Sequence, residues 1–271
     1  MTSVAIKIVA IVIMLIDHIA AGLGDNPSPL IYGNTYSIMR EIGRTAFPLF
    51  AFLITEGFVH TRNKKNYFLR LLAFAAISEF PYDYIFNWYS DYSPNSGPAF
   101  DAGQNVFFTL AIGLLTLIIN DRIMNMSLEK EKAARVATAL LQLGVILAMC
   151  TLADLLATDY GSDGILLIVM IWYIGMFGKL SASDKTDSFM TEKIRFAYSA
   201  AAIAMWLVFY DIKNGGYMNE SYGIAASLLI LCYNGKKGTA VLPKWFFYVF
   251  YPVHLLMIGA IEHYCISGSL L

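Results

Sequence analysis

The chain has 271 residues, of which 58% are hydrophobic and 14% are charged, and its formal net charge is −1. Because average soluble domains carry about 25% charged residues, this composition excludes a soluble globular protein, and its hydrophobicity excludes a disordered chain. Its 3 Cys are too few for a disulfide scaffold, and the near-zero charge offers no basic surface for nucleic acid. The class that remains is a polytopic membrane protein.

Apolar stretches that approach the roughly 17–25 residues of a transmembrane helix recur along the whole chain. We predict such stretches at about 4–23, 44–60, 67–87, 104–120, 136–157, 161–180, 195–211, 221–234 and 245–266. The segment 24–43 is too polar to span, and we expect it to lie in the interface or to re-enter the membrane. The sequence therefore predicts an all-α polytopic bundle of about nine transmembrane helices, forming one domain over residues 1–271.

Basic residues between these stretches predict the orientation. Loops with three or four Lys and Arg residues each are 61–66, 121–135, 179–195 and 235–244, whereas the loops between them carry at most one. The positive-inside rule places the basic loops in the cytoplasm. We therefore expect a multi-pass protein of the cell membrane with a cytoplasmic amino terminus and an external carboxyl terminus. A competing interpretation makes residues 4–16 and the small residues after them a cleaved signal peptide.

Ionisable side chains inside membrane helices are costly and often mark functional sites. In the predicted orientation, Arg70 lies near the cytoplasmic side and His254 lies near the middle of the last helix. A larger polar group gathers in the outer half of the bundle, namely Asp17, His18, Arg44, Glu79, Asp83, Asn105, Asp159 and Tyr160. The alternative is that these residues only bond helices together or extend their polar ends to the interface.

Asp17 and His18 are adjacent in the first helix, and sequence neighbours on a helix do not face each other. We therefore expect each of them to contact a different helix. Glu79 and Asp83 are four residues apart and share one helix face. The pattern as a whole predicts an outward polar cavity lined by His, Asp, Glu and Arg, which fits an enzyme or a transporter.

No motif of a soluble enzyme is present, since the chain lacks GxSxG, HExxH, a Walker A loop and GxGxxG. Cys150, Cys232 and Cys265 lie within or beside apolar runs, without CxxC spacing or a nearby His at ligand spacing. We interpret them as small hydrophobic residues and predict no metal site.

Several longer blocks resemble the TraX family in their order along the chain. They are "LIDHI" at 15–19, "GRTAFPLFAFLITEGFVHTRN" at 43–63, "YFLRLLAFAAISEFPYD" at 67–83, "QNVFFTL" at 104–110, "DYGSDG" at 159–164 and "FFYVFYPVHLL" at 246–256. These blocks extend from the first predicted helix to the last. The segments 24–39, 84–103, 120–158 and 180–243 carry no motif of this kind.

The namesake of that family acetylates the amino terminus of a conjugative pilin, and the family is similar to a wider group of integral-membrane acyltransferases. The resemblance therefore implies transfer of an acetyl or other acyl group from cytoplasmic acyl-CoA, with acetyl-CoA as the expected donor. The acceptor is an amine or hydroxyl at or across the membrane. Three kinds of acceptor molecule remain open at this point: a pilin-like protein, a glycan and a small molecule.

Acyl transfer needs a base that removes the proton of the acceptor, and His suits this role near neutral pH. His18, in the "LIDHI" block, is the first candidate, and Asp17 is a second catalytic candidate that would orient another helix or a second cavity wall. His254 is the second candidate base or acid, with Tyr251 one turn away.

The remaining candidates are expected to bind the two substrates. Arg44 would bind a carboxylate or a developing oxyanion, while Arg70 and the basic loop 62–65 would bind the phosphates of CoA. Glu79, Asp83 and Asn105 would hold or orient a cationic amine acceptor, and Asp159, Tyr160 and Tyr251 are further candidates for binding the acceptor or the acyl donor.

Two further classes of protein compete with this interpretation. Buried carboxylates and His also suit a proton-coupled transporter of a small polar solute. No inverted repeat links two halves of the chain, however, and many secondary transporters have one. In a structural or sensory membrane subunit, the polar residues would only hold helices together.

Overall fold

The computed structural model describes residues 1–24, 30–86, 103–126, 132–181, 188–215, 220–239, 243 and 245–267. Within these ranges the chain forms α1 Ser3–Gly24, α2 Gly33–Gly43, α3 Ala46–His60, α4 Lys64–Phe86, α5 Val106–Asn125, α6 Lys132–Leu155, α7 Gly161–Ser181, α8 Ser188–Lys213, α9 Ile224–Leu231 and α10 Phe246–Ser267. A 3₁₀ turn over Glu220–Gly223 precedes α9. The described residues contain no strand beyond an isolated bridge between Gln104 and Thr158. The predicted all-α class is confirmed.

Each predicted stretch corresponds to one observed helix, and the helix that was not predicted is α2. Seven described stretches are long and apolar enough to cross a membrane. These confirm a multi-pass membrane protein. α4 has sufficient length, with 23 residues, but five of them are charged and it is not among these seven stretches. α9 has only 8 residues, so it cannot cross a bilayer core of about 30 Å by itself.

The described parts of the basic loops gather at one end of the bundle. Lys64 at the start of α4 forms an ion pair of 2.7 Å with Asp121 near the end of α5. The Ser3 amide donates to the carbonyl of Lys236 at 2.9 Å, which joins the start of α1 to the segment after α9. Lys193, in the first turns of α8, donates to the carbonyl of Tyr233 at 2.6 Å. We call this end, formed by the start of α1, residues 61–64, the end of α5 and residues 233–238, the basic end.

The helix ends opposite the basic end also contact one another. Asp154, near the end of α6, accepts the amide of Ser162 at the start of α7. Lys213 at the end of α8 pairs with Asp163 at 2.7 Å. Successive crossings therefore run in opposite directions, as the alternating basic loops predict. Which end faces the cytoplasm stays a prediction from the positive-inside rule.

α9 itself is short, but the segment that contains it, from Glu220 to Lys236, runs from one end of the bundle to the other. Glu220 contacts Arg44, which lies far from the basic end, at 2.8 Å. Lys236, sixteen positions later, lies beside Ser3 at the basic end. On α1 the positions from Ser3 to Asp17 cover about 21 Å at 1.5 Å per residue, so this segment crosses most of the bundle.

α3 is the central helix, and it packs against α1, α5, α7 and α9. Eleven of its 15 residues are buried. Pro48 lies in its first turn, where no earlier carbonyl of the same helix loses a hydrogen bond. This explains why α3 begins at Ala46 as a separate helix rather than continuing α2.

Among the described helices, α7 and α8 pack against each other most extensively, and they approach at small residues. A Cβ atom added at Gly175 would lie 2.8 Å from the Ser199 hydroxyl, and one at Gly178 would lie 2.8 Å from the ring of Tyr198. Small residues at such positions let helices in a membrane pack closely by van der Waals contact. The glycines of α7 therefore set the spacing of this pair.

Candidate active site

His18 and His254 form a hydrogen-bonded pair between α1 and α10. The rings are nearly parallel, at 6°, and His18 Nδ1 lies 2.7 Å from His254 Nε2. The second nitrogen of His254, Nδ1, lies 2.8 Å from the carbonyl oxygen of Phe250. Because a carbonyl only accepts, His254 Nδ1 carries a hydrogen, and in the neutral pair His254 Nε2 accepts from His18 Nδ1. The lone pair of His18 Nε2 is not used by this chain of hydrogen bonds.

Aromatic rings surround the pair. The ring of Tyr251 meets both imidazoles edge-on, 5.8 Å from His18 and 5.6 Å from His254 between centroids. Phe86 meets His18 edge-on at 5.9 Å, and Phe250 stacks on His254 at 5.0 Å. His254 is buried and His18 is half-buried. The rings therefore hold both imidazoles in place and limit the access of water to them.

Asp17 faces α2 rather than His18. Its carboxylate pairs with Arg40 at 2.8 Å, and the backbone at Gly43 comes so close that an added Cβ would lie 2.0 Å from Asp17 Oδ1. The expectation that Asp17 and His18 contact different helices is therefore confirmed. Arg40 is a partner that the sequence did not predict.

Arg44 is engaged by Glu220, whose side chain is buried. The two charges are 2.8 Å apart between Nη1 and Oε1, which joins the junction of α2 and α3 to the 3₁₀ turn before α9. Tyr160 stacks on Phe47 at 3.6 Å between ring centroids, with 6° between their planes. Arg44 and Tyr160, two residues predicted from distant parts of the chain, also lie within electrostatic range of each other.

Asp159 lies between α6 and α7 and is positioned by its backbone. Its amide donates to the Gln104 carbonyl at 2.9 Å, while the Gln104 amide donates to the Ala157 carbonyl at 2.9 Å. The carboxyl group retains solvent access, yet the protein packed around it displaces much of its hydration. The pKa of Asp159 is raised to about 6. The main cause is this loss of hydration; the Asp17 carboxylate also raises the pKa, while Arg40 and Arg44 lower it. Asp159 therefore belongs to the same electrostatic cluster as Asp17.

Glu79 and Asn105 fix the start of α5. The side-chain amide of Asn105 donates to Glu79 at 2.5 Å and to the Ala75 carbonyl at 2.8 Å. Its oxygen accepts the amide of Phe107 at 3.0 Å and thereby caps the helix. Asp83 is buried one turn after Glu79 on α4. In this structure Glu79 and Asn105 bond to each other and position α5.

Arg70 lies apart from this cluster, in a cavity of about 600 Å³ at the basic end. Cationic and imidazole groups line its outer part, namely Lys7, His60, Arg70 and Lys237, and apolar residues line its inner part, namely Ile11, Phe50, Leu53, Phe107 and Leu110. On α1 the cavity residue Lys7 and His18 are eleven positions apart, about 16 Å along the axis. Lys64 belongs to the basic loop 62–65 that was predicted to bind CoA, but it does not line this cavity and pairs with Asp121.

The predicted site residues therefore divide into a His18–His254 region and a separate cavity that contains Arg70. Sequence reasoning missed Arg40, Glu220, Lys7 and Lys237. For Arg40 a signal existed, because it lies four residues before Arg44 and shares its helix face. Glu220 lay between predicted helices, and nothing in its neighbourhood indicated that it is buried against an Arg 176 positions away.

The fold and these two polar regions define a multi-pass helical membrane protein with a histidine pair inside its bundle. A family model described as TraX protein matches residues 3–262. The chain belongs to the TraX family, which confirms the resemblance found in its sequence blocks.

Among curated proteins, the chain is similar to one of Dichelobacter nodosus named "Probable fimbrial assembly protein FimC, serogroup H1". The two are 27% identical over 255 residues, which cover 93% of this chain and 92% of the relative. No solved structure matches the chain.

Proposed function

We propose that this protein is a membrane-embedded acyltransferase that moves an acetyl group from acetyl-CoA to an amine or hydroxyl acceptor. The observation that carries the proposal is the hydrogen-bonded chain from His18 through His254 to the Phe250 carbonyl. This chain leaves the lone pair of His18 Nε2 available as a base, and it orients the ring in the way that a catalytic triad orients its histidine.

The cavity at the basic end supports an acyl-CoA donor. Phosphate groups favour Arg and Lys partners, and Lys7, Arg70 and Lys237 supply three such cations around one opening. The apolar inner part suits the less polar end of the donor. The inner wall of the cavity includes Phe107, whose ring centroid lies 4.8 Å from that of Tyr251. Tyr251 in turn contacts both histidines, so two rings, Phe107 and Tyr251, lie between the donor cavity and the base.

In the proposed reaction, His18 Nε2 takes a proton from the acceptor as its nitrogen or oxygen attacks the thioester carbonyl. A bond forms between the acceptor and the acyl carbon, and the carbon–sulfur bond to CoA breaks. The leaving thiolate of CoA receives the proton from His18. While His18 is positively charged, its Nδ1–H donates to His254 Nε2, and this bond stabilises the charge.

The acceptor would approach from the side of the Asp17, Asp159 and Glu220 cluster. Three carboxylates there face two guanidinium groups, Arg40 and Arg44. This excess of negative charge favours a cationic acceptor such as an amine, with Glu79 and Asp83 nearby on α4. The similarity to a probable fimbrial assembly protein of Dichelobacter nodosus supports a pilin-like protein as one acceptor of this kind.

The first experiment measures transfer and hydrolysis of radiolabelled acetyl-CoA by purified protein in detergent, together with its melting temperature. We expect both His18→Ala and His18→Gln to lower the rate by about 10²–10⁴-fold, the usual contribution of general acid–base catalysis. Glutamine can still bond to His254 but cannot take up a proton. His263→Gln, nine positions after His254 on the same helix, is the matched control and should keep the wild-type rate.

A fully active His18→Gln variant would remove His18 as the base and move that role to His254. If neither transfer nor hydrolysis occurs in the wild type, while proteoliposomes take up a polar solute without acyl-CoA, the protein is a transporter and the proposal is wrong.

The donor side has its own test. Arg70→Ala should raise the apparent KM for acetyl-CoA more than it changes the KM of the acceptor, because a cation of the cavity is lost. Lys179→Ala, which changes an exposed basic residue near the end of α7 that does not line the cavity, is the control. An unchanged donor KM would leave Arg70 as a determinant of membrane orientation only.

A further inference from the structure

α2 runs antiparallel to the half of α1 that lies away from the basic end. A Cβ atom added at Gly24, the last residue of α1, would lie 2.4 Å from the ring of Tyr36 in α2. Earlier on α1, Asp17 contacts the backbone at Gly43 and pairs with Arg40 at 2.8 Å. α2 therefore holds this half of α1 at two levels, and one of them is next to His18.

His18 leaves α1 about 100° from Asp17, because an α-helix has about 3.6 residues per turn. Asp17 binds α2 on one side of α1, while His18 bonds to His254 of α10 at 2.7 Å on another. A rotation of α1 by about 12° would move an atom about 5 Å from its axis by about 1 Å. A shift of about 1 Å takes a hydrogen bond of this length out of range. The bond between the two histidines therefore depends on how α1 is rotated.

The ion pair of Asp17 fixes this rotation more sharply than the neighbouring apolar contacts do. Gly22 packs against the aliphatic side chains of Ile258 and Ile85, and apolar contacts have no preferred direction. The planar guanidinium of Arg40, in contrast, donates in fixed directions. Its pairing with a carboxylate that is only 20% exposed therefore specifies one orientation of α1.

We infer that Arg40 is a positioning residue for the proposed acyl transfer: by binding Asp17, it sets the rotation of α1 at which His18 bonds to His254. The inference rests on the proposed function, in which this bond orients the base. Arg40 acts through the helix and takes no part in the transfer of the proton. Its charge also lies within electrostatic range of His18, so the experiment has to separate the position of the ring from the charge of the guanidinium.

The first measurement is nitrogen-15 NMR of the purified protein labelled at histidine, with the resonances assigned from His18→Gln and His254→Gln. It needs neither donor nor acceptor. In the wild type, His254 Nε2 should give the resonance of a hydrogen-bonded acceptor. In Arg40→Ala this resonance should shift to that of a free imidazole nitrogen, because α1 is no longer held and the bond to His18 is lost.

The second measurement is the rate of acetyl transfer. Arg40→Ala should lower kcat by about 10–10²-fold and leave the KM for acetyl-CoA unchanged, since a misplacement of about 1 Å can cost about 10²-fold in rate. Asp17→Ala keeps the guanidinium charge but removes its partner, so it should cause the same loss. The double variant should lose no more than either single variant.

Lys213→Ala is the matched control, because it breaks an ion pair of 2.7 Å at the same end of the bundle, between α8 and Asp163 of α7. Its kcat and its histidine resonances should equal those of the wild type. Arg40→Gln, which keeps a polar side chain, carries the test if Arg40→Ala does not fold, as judged by its melting temperature.

Three results would overturn the inference: an unchanged His254 resonance in Arg40→Ala, a loss of kcat in Arg40→Ala that Asp17→Ala does not share, or an equal loss in Lys213→Ala. None of them concerns the activity of the wild type, so the proposed function stands in each. A wild type that neither transfers nor hydrolyses acetyl-CoA is a different result, since it removes the proposed function and the inference with it.

Discussion

Gly43 determines how closely the end of α2 approaches Asp17. An added methyl group would lie 2.0 Å from Asp17 Oδ1 and 2.5 Å from its Cβ, so the carboxylate would have to move away from Arg40. We expect Gly43→Ala to destabilise the protein by about 1–3 kcal/mol, the usual range for overpacking. Thermal unfolding in detergent measures this.

Gly144→Ala on α6 is the matched control, because nothing lies within 4 Å of a Cβ atom at that position. There, alanine should be neutral or stabilising by up to about 1 kcal/mol through helix propensity. Equal melting temperatures for the two variants would show that the close contact at Gly43 does not constrain the fold.

Asp159 makes stability depend on pH in a defined window. The folded protein keeps a proton on this carboxyl up to its raised pKa of about 6, whereas the ordinary value is 3.8. Between these values the folded state binds more protons than the unfolded state, so this group stabilises the fold at low pH and its contribution is lost as the pH rises to about 6. Asp159→Asn should therefore show a smaller fall in melting temperature from pH 4 to 6 than the wild type. An identical fall in both proteins would contradict the raised pKa.

Between elements, α3 and α8 are joined by a buried ion pair. Glu56 and Arg195 are 2.5 Å apart, and their side chains are only 5% and 9% exposed. Removing Glu56 leaves the buried Arg195 with Glu192, 2.7 Å from its Nε, as a remaining partner, so the cost is at most the roughly 3–5 kcal/mol that is typical when one partner of a buried pair is removed. We therefore expect Glu56→Ala to lower the free energy of unfolding by up to this amount.

Lys213→Ala is the comparison, since that lysine also ends an ion pair but is 47% exposed. Pairs of this kind contribute about 0–1 kcal/mol. The double variant Glu56→Leu with Arg195→Met should recover most of the loss because no buried charge is left behind, and Glu192, which loses this partner, is 34% exposed. A double variant as unstable as Glu56→Ala would show that packing, and not the isolated charge, causes the loss.

α2 illustrates why one helix was not predicted. Its sequence, GNTYSIMREIG, has few apolar residues and two charges, so hydropathy indicates a polar loop or an interfacial segment. Its conformation is stabilised by contacts with α1, above all the ion pair of Arg40 with Asp17. Tertiary packing of this kind stabilises helices of marginal propensity.

For the whole molecule, the clustering of basic loops at one end leads to a test of orientation. Single cysteines at positions 64, 130, 185 and 237, in a variant without native cysteines, should resist membrane-impermeant thiol reagents in intact cells. Positions 130 and 185 lie outside the described residues, whereas 64 and 237 lie at the basic end. Native Cys265, exposed near the end of α10, should react when it is restored alone. Labelling at any two of the four positions would contradict the predicted orientation.

The all-α class, nearly all helix positions and the alternation of their directions follow from the sequence by itself. Each of these depends on local quantities, namely the apolar content of about 20 consecutive residues and the basic residues that flank them. The individual residues His18, His254, Asp17 and Arg44 could also be selected, because an ionisable group in an apolar helix is visible without knowledge of its neighbours.

Only the tertiary structure decided which of these residues meet. His18 bonds to His254 across 236 positions, Asp17 bonds to Arg40, and Arg70 lies in a separate cavity with Lys7 and Lys237. These contacts depend on how each helix is rotated about its axis and on how closely small residues let neighbouring helices approach. Both properties result from packing between distant segments, so no window of the sequence contains them.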